Sequence, residues 1–208
     1  MIDTQLVTRG ITDTNVLRAM EKVDRKYFVP ESLRSSAYDD NPLPIGDGQT
    51  ISQPYIVAKM TQLLNPGKKS RVLEVGTGSG YQTAILCELS GFVYSIELLN
   101  IFAAKAGRLL SGLGYDNFEV KTGDGSLGWA QEASFDRIIV AAAAPDVPRA
   151  LLAQLAEKGK LVMPVGDRNS QRLTLIEKER GELSALFFDY CTFVPLIEQG
   201  SGGNTFYN

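Results

Sequence analysis

The chain has 208 residues, of which 44% are apolar and 22% are charged. This is the composition of an ordinary globular protein with a sizeable core, and it excludes a disordered or collagen-like chain. Lys and Arg total 21 against 24 Asp and Glu, so the net charge of -3 gives no reason to expect a nucleic-acid-binding surface.

The chain has no histidine. That excludes Ser-His-Asp and Cys-His nucleophiles, and with two cysteines it also disfavours a four-ligand zinc site. No apolar run predicts a membrane span, and the N-terminus lacks the pattern of a signal peptide. Cys87 and Cys191 form no paired motif, so we expect free thiols in a reducing compartment, the cytoplasm.

The first 69 residues predict a layer of helices and loops. Apolar residues recur at helical spacing in 12–23 and again in 54–64. Prolines and glycines break the segment 24–50 between them, which is expected to be irregular.

From residue 70 onwards strands alternate with helices. Five strands are predicted, at 71–75, 92–96, 118–121, 135–140 and 160–165, and three helices, at 81–89, 101–110 and 147–155. Two further strands, 173–177 and 186–194, predict an antiparallel edge. The pattern indicates an α/β fold with a doubly wound, mostly parallel seven-stranded sheet and helices on both faces.

A glycine-rich turn, 76–80, follows the first of these strands, where open α/β sheets bind ligands. Its spacing fits neither the dinucleotide fingerprint nor the phosphate loop. Glu74, Gly76, Gly78 and Gly80 instead form Glu-x-Gly-x-Gly-x-Gly, which resembles the first motif of the class I S-adenosylmethionine-dependent methyltransferases.

Two acidic residues follow at the ends of the next strands. A carboxylate at Glu97 can accept hydrogen bonds from both ribose hydroxyls of a nucleoside. Asp124 lies in Gly-Asp-Gly, where members of this superfamily bind the adenine amino group. Either residue alone could be a turn or cap residue, but three features in order at successive strand ends favour a cofactor site.

The segment 141–145, Ala-Ala-Ala-Ala-Pro, lacks the Asn/Asp-Pro-Pro-Tyr motif of amine methyltransferases. This favours an acceptor that carries its own lone pairs. A carboxylate, with a pKa of about 4, is ionised at neutral pH and needs no general base, which suits a chain without histidine. Asp, Glu or Lys could also act as a base, so the acceptor stays open on these grounds.

The segment 42–54, Pro-Leu-Pro-Ile-Gly-Asp-Gly-Gln-Thr-Ile-Ser-Gln-Pro, is very similar to the signature of the protein-L-isoaspartate O-methyltransferase family. Further matching segments extend the resemblance over roughly 13–197: 72–81, 123–125, 135–136, 142–145, 163–166 and 193–196. The resemblance implies a single domain, 1–208, with the Rossmann-like methyltransferase fold. Its parts are an N-terminal layer on the substrate side, 1–69, a cofactor-binding core, 70–197, and a flexible tail, 198–208.

The resemblance also implies the reaction and the partners. A methyl group moves from S-adenosylmethionine to the free α-carboxyl of L-isoaspartyl residues, leaving S-adenosylhomocysteine, and the ester cyclises so that some normal aspartyl is restored. The substrates are damaged proteins and peptides. A cytoplasmic monomer without nucleic-acid or membrane partners is expected.

Site residues are carried over by matching position. Ser52 is the expected catalytic residue, whose hydroxyl orients the isoaspartyl carboxylate; the alternative is that it caps the helix 54–64. The expected cofactor-binding residues are Gln49, Thr50, Ile51, Glu74, Gly76, Thr77, Gly78, Gly80, Glu97, Asp124 and Gly125. The expected substrate-binding residues are Ser52, Ala142, Ala143 and Pro145, with no metal ligand and with Asp47 facing solvent.

Two other functions stay open at this point. One is a class I methyltransferase for a small-molecule acid. The other is a non-enzymatic module that holds damaged segments without turnover, against which the intact Ser52, Glu97 and Asp124 argue.

Overall fold

A computed structural model of the chain describes residues 1–197. The predicted flexible tail, 198–208, lies outside the described residues. The helices are α1 (Thr14–Lys22), α2 (Pro54–Leu64), α3 (Tyr81–Leu89), α4 (Asn100–Gly112) and α5 (Arg149–Gln154). None of the helices in this part of the chain is long and apolar enough to cross a membrane.

The strands form one small hairpin and one large sheet. Their bounds are β1 (Leu43–Gly46), β2 (Gln49–Ile51), β3 (Arg71–Val75), β4 (Phe92–Glu97), β5 (Phe118–Thr122), β6 (Phe135–Val140), β7 (Leu155–Gly166), β8 (Gln171–Glu179) and β9 (Glu182–Cys191). Strands β1 and β2 pair antiparallel, and the other seven have the order β5-β4-β3-β6-β7-β8-β9. The sheet is parallel from β5 to β7 and antiparallel from β7 to β9, which confirms the predicted fold class.

The order of the strands reverses at β3, which lies between β4 and β6. Gly76 N–H donates to the carbonyl of Ile96, and Ala141 N–H donates to that of Val75, both at 2.8 Å. The ends of β3, β4 and β6 are therefore tied together at the position where such sheets bind ligands. The predicted place of the glycine-rich turn is confirmed.

Alternating side chains of β3 supply both faces of the sheet. Leu73 and Val75 pack with β6 and β7 on one face, and Val72 packs beneath α2 and α3 on the other. On the outer side of α3, Val16 and Met20 of α1 share a buried cluster with α3. This contact attaches the N-terminal layer to the core, and Ile45 and Ile51 of the hairpin belong to the same cluster.

The prediction of an irregular segment 24–50 is wrong for its last part, which contains β1 and β2. Pro42 and Pro44 hid the strand from a propensity argument. The sequence nevertheless contained a signal for a hairpin, because the dipeptide Asp47-Gly48 favours a two-residue hairpin turn. In the structure both residues have the positive φ that such a turn requires, 47° and 69°.

Candidate active site

A cavity of about 1280 Å³ opens at the carboxyl ends of β3, β4 and β6. Its walls come from several distant parts of the chain, including 49–53, 76–79, 96–99 and 189–197. The volume exceeds the range of about 300–1,000 Å³ that is usual for one small ligand. The cavity therefore has room for a cofactor and part of a second reactant.

The glycine-rich turn requires its glycines. Gly76, Gly78 and Gly80 have φ of 94°, 52° and 88°, in the left-handed region where other residues are strained. A Cβ added at Gly76 would also lie 3.3 Å from the Cβ of Ala141. The turn exposes backbone to the cavity at Gly76 and Gly78, whereas Gly80 faces α4 and is not among the described lining residues.

Glu97, the last residue of β4, presents a fixed carboxylate to the cavity. Its Oε2 accepts a hydrogen bond from Gly78 N–H at 2.8 Å, and its Oε1 accepts one from Leu99 N–H at 3.0 Å. The side chain lines the cavity although the residue is only 8% exposed. A carboxylate held in this way is a ready acceptor for the two hydroxyls of a ribose.

Glu74 lies behind the turn, and the expectation that it touches the cofactor is corrected. The residue is fully buried, and its Oε2 accepts from the hydroxyls of Thr83 and Ser95, both at 2.6 Å. Ser95 also shares a hydrogen bond with Thr77, a described lining residue. Glu74 therefore supports the turn from inside the fold.

Burial raises the pKa of Glu74 from 4.5 to about 7. The folded state binds this proton more tightly than the unfolded chain, so stability falls as pH rises through the window from about 4.5 to 7. When the pH rises from 5.5 to 8, the loss of the Glu74 proton should lower the free energy of unfolding by about 2 kcal/mol. Urea unfolding of Glu74→Gln should show that part of the pH dependence removed. Equal pH dependence in the variant and the wild-type protein would contradict the expectation.

Asp124 caps the turn that follows β5. Its Oδ1 accepts from the N–H and the hydroxyl of Ser126 at 2.8 and 2.6 Å. Gly125 lines the cavity, and a Cβ there would lie 2.2 Å from a Val75 methyl group, so only glycine fits. Asp124 itself is 8% exposed and is not among the described lining residues, so its contact with adenine stays a prediction.

Ser52 lies in the loop between β2 and α2 and lines the cavity. Its hydroxyl makes no hydrogen bond with any described residue. Helix α2 begins at Pro54 without a cap from its neighbours, and Asp40 Oδ1 instead accepts from Tyr55 N–H at 3.2 Å. The alternative in which Ser52 caps α2 is wrong.

Residues of the alanine-rich segment after β6 have different roles. Ala142 lines the cavity. Ala143 is not among the described lining residues; its N–H donates to the Val194 carbonyl at 2.8 Å and its carbonyl accepts from Leu196 N–H at 2.7 Å, which fixes a stretch of the cavity wall. Pro145 is exposed and lies outside the described lining, so the predicted substrate contacts of Ala143 and Pro145 gain no support.

The sequence model of one family, "Protein-L-isoaspartate(D-aspartate) O-methyltransferase", matches residues 1–201. The chain belongs to this family. It is 56% identical over 177 residues to "Protein-L-isoaspartate O-methyltransferase 1" of Syntrophobacter fumaroxidans, covering 85% of this chain and 83% of the relative. It is 49% identical to "Protein-L-isoaspartate O-methyltransferase" of Syntrophus aciditrophicus, covering 98% and 95%.

A solved structure agrees with these relatives. It is a putative protein-L-isoaspartate O-methyltransferase from Plasmodium falciparum in complex with S-adenosyl-L-homocysteine. The two chains are 30% identical with a TM-score of 0.79, over 92% of this chain and 94% of that one. The family, the methyltransferase activity and the donor S-adenosylmethionine that the sequence predicted are thereby confirmed.

The residues of the cavity fit this donor. The Glu97 carboxylate suits the ribose, and the glycine-rich turn permits close approach of backbone to a ligand. Leu98, Leu99 and Ile101 follow Glu97 along the cavity wall and offer apolar surface to an adenine ring. Among the described residues no cluster could hold a metal ion.

Several residues that line the cavity were not predicted from the sequence. Arg9 lies 3.5 Å above the centre of the Tyr55 ring, and the Tyr55 hydroxyl donates to Asp189 at 3.3 Å. Asp47 is exposed as expected but also borders the cavity. Arg9, Tyr55 and Asp189 are far apart in sequence, so no local pattern could have grouped them.

Proposed function

We propose that this methyltransferase binds the α-carboxyl of an L-isoaspartyl residue on Ser52 while Glu97 and the glycine-rich turn hold S-adenosylmethionine. One observation carries the proposal. The Ser52 hydroxyl, which has no hydrogen-bond partner among residues 1–197, and the fixed carboxylate of Glu97 line the same cavity from distant parts of the chain. Ser52 supplies a hydrogen-bond donor for the carboxylate that receives the methyl group. Glu97 supplies a hydrogen-bond acceptor for the ribose hydroxyls.

The chemistry requires little of the protein beyond placement. S-adenosylmethionine supplies a methyl group on a positively charged sulfur. A carboxyl of pKa about 4 is already ionised at neutral pH, so no side chain has to remove a proton. The Ser52 hydroxyl donates a hydrogen bond to one carboxylate oxygen and directs the other, and the apolar walls limit competing water.

Most of the remaining predicted residues, apart from Asp124 and Pro145, fall into two groups under this proposal. Those that line the cavity contact the donor or the peptide directly: Gln49, Thr50, Ile51, Gly76, Thr77, Gly78, Gly125 and Ala142. Those behind its walls hold the first group in place: Glu74, Gly80 and Ala143. Asp124 is proposed to accept from the adenine amino group beside the turn that it caps.

We further propose one domain, in which the layer 1–69 carries the substrate-side signature and 70–197 forms the cofactor-binding core. Residues 49–53 and 76–79 line a common cavity, in agreement with that division. The proposal includes a cytoplasmic monomer that acts on damaged proteins and peptides. Both cysteines are free thiols, Cys87 buried and Cys191 half-buried, which suits a reducing compartment.

The decisive experiment compares two peptides that differ only in the linkage of one aspartyl residue. With isotopically labelled S-adenosylmethionine, we expect label in the isoaspartyl peptide as an ester that releases methanol in base, and none in the aspartyl peptide. Equal labelling of both peptides, or of neither, would contradict the substrate assignment. Free dicarboxylic acids form a third arm, since stronger competition from them than from the peptide would point to a small-molecule acceptor.

A further inference from the structure

Asp40 lies just before β1 and contacts the chain immediately after Ser52, at Gln53 and Tyr55. Its Oδ1 accepts from Tyr55 N–H at 3.2 Å, and its Oδ2 accepts from the Gln53 side-chain amide at 2.8 Å. The same amide donates to the Asp40 carbonyl at 2.8 Å. One residue therefore fixes the start of α2 and the residue that follows Ser52.

The Asp40 carboxylate accepts a hydrogen bond that the Ser52 hydroxyl could otherwise accept. Serine beside a helix N-terminus commonly accepts a hydrogen bond from a free N–H of the first turn. Here Asp40 takes the Tyr55 N–H, and its charge also suits the helix dipole. The Ser52 hydroxyl, unbonded within the described part of the chain, stays available to the cavity.

Asp40 is itself held in place. Arg9 donates a hydrogen bond to its Oδ2 while stacking on the Tyr55 ring. The fully buried Arg25 holds the chain around Asp40, with its Nε donating to the carbonyl of Ala37 at 2.8 Å. The Asp40 side chain is 22% exposed and lies outside the described cavity lining, so it acts through other residues.

We propose that Asp40 is a positioning residue that keeps the Ser52 hydroxyl free for the substrate carboxylate. The inference rests on the proposed role of Ser52. Without Asp40, the first turn of α2 has an unsatisfied N–H and Gln53 loses its anchor. The Ser52 hydroxyl then turns towards the helix, and the loop that carries it loses its fixed geometry.

The test is the turnover of an isoaspartyl peptide by Asp40→Ala. We expect kcat to fall about 10-fold or more, since small misplacements of reacting groups have effects of this size. The dissociation constant for S-adenosylmethionine should change much less than kcat, because Glu97 and the glycine-rich turn are untouched and only Gln49, Thr50 and Ile51 of the donor site lie near the disturbed loop. Asp40→Asn keeps one acceptor for Tyr55 N–H and should have an intermediate kcat. Asp39→Ala, which removes an exposed neighbouring carboxylate, is the matched control and should keep the wild-type kcat.

Thermal unfolding of each variant separates lost positioning from lost folding. An Asp40→Ala protein with wild-type kcat, or an Asp40→Asn protein as slow as Asp40→Ala, would overturn the inference. Adding Asp40→Ala to Ser52→Ala should slow the enzyme less than twofold further, because both changes remove one function. A double variant slowed by the full product of the two effects would also overturn it. Wild-type turnover by Ser52→Ala alone would instead refute the proposed function of Ser52.

Discussion

Replacing Ser52 with alanine is expected to lower kcat for an isoaspartyl peptide by about 100-fold or more, with S-adenosylmethionine affinity unchanged within about twofold. The substitution removes a hydrogen-bond donor that lines the cavity. It leaves the residues that surround S-adenosylmethionine intact. The loss should fall on kcat because, in the proposed function, the hydroxyl directs the reacting oxygen as well as binding the carboxylate.

The same variant decides between orientation and helix capping. Loss of a capping serine costs about 1 kcal/mol of stability. Because Asp40 and not Ser52 accepts from the first turn of α2, Ser52→Ala should change the free energy of unfolding by less than about 0.5 kcal/mol. Methyl-transfer kinetics, titration calorimetry with the cofactor and urea unfolding measure the three quantities. Ser184→Ala, on the exposed strand β9, is the control for serine loss, and wild-type turnover by Ser52→Ala would refute the role.

The sheet and its switch point were predictable because they follow from local patterns. Strand β3 is buried along nearly all its length. Its nearly continuous apolar run is typical of a central strand in a parallel sheet and can be recognised from the sequence alone. The glycine-rich turn follows directly, so its place at the carboxyl end of β3 was fixed once the strand was assigned. The edge strand β9 is exposed almost throughout, and its bounds were accordingly displaced, from the predicted 186–194 to Glu182–Cys191.

Local sequence patterns could not distinguish the roles of the two glutamates at the strand ends. Glu74 and Glu97 both stand at strand ends, yet only Glu97 borders the cavity. Glu74 is the residue before the last of β3, and successive side chains of a strand point to opposite faces, so it lies on the face covered by α3. The alternation could have been read from the sequence, but which face carries the helix could not.

The availability of Ser52 is a tertiary property. It depends on Asp40, whose position is set by Arg9 and the buried Arg25. Sequence alone placed Ser52 next to a helix start and therefore favoured a cap slightly over a substrate contact. The contacts of Asp40 with Gln53 and with the first turn of α2 reversed that balance.

Glu97→Ala is expected to weaken S-adenosylmethionine binding by about 100-fold or more. Hydrogen bonds to a charged acceptor contribute about 1.5–3 kcal/mol each, and a ribose presents two donors to this carboxylate. The side chain also anchors the turn, since it accepts from Gly78 N–H at 2.8 Å. The variant therefore loses both a ligand contact and the backbone geometry beside it.

The kinetic signature separates this effect from that of Ser52. The KM for S-adenosylmethionine should rise steeply while the KM for the peptide stays near its wild-type value, because the Ser52 loop comes from a different part of the chain. Glu97→Gln keeps one acceptor oxygen but turns an amide donor towards Gly78 N–H or Leu99 N–H, so it should be intermediate, at about 10-fold weaker binding. Calorimetry with S-adenosylhomocysteine measures the affinities directly. Unchanged affinity in Glu97→Ala would remove Glu97 from the donor site, because a carboxylate that binds both ribose hydroxyls cannot be lost without effect.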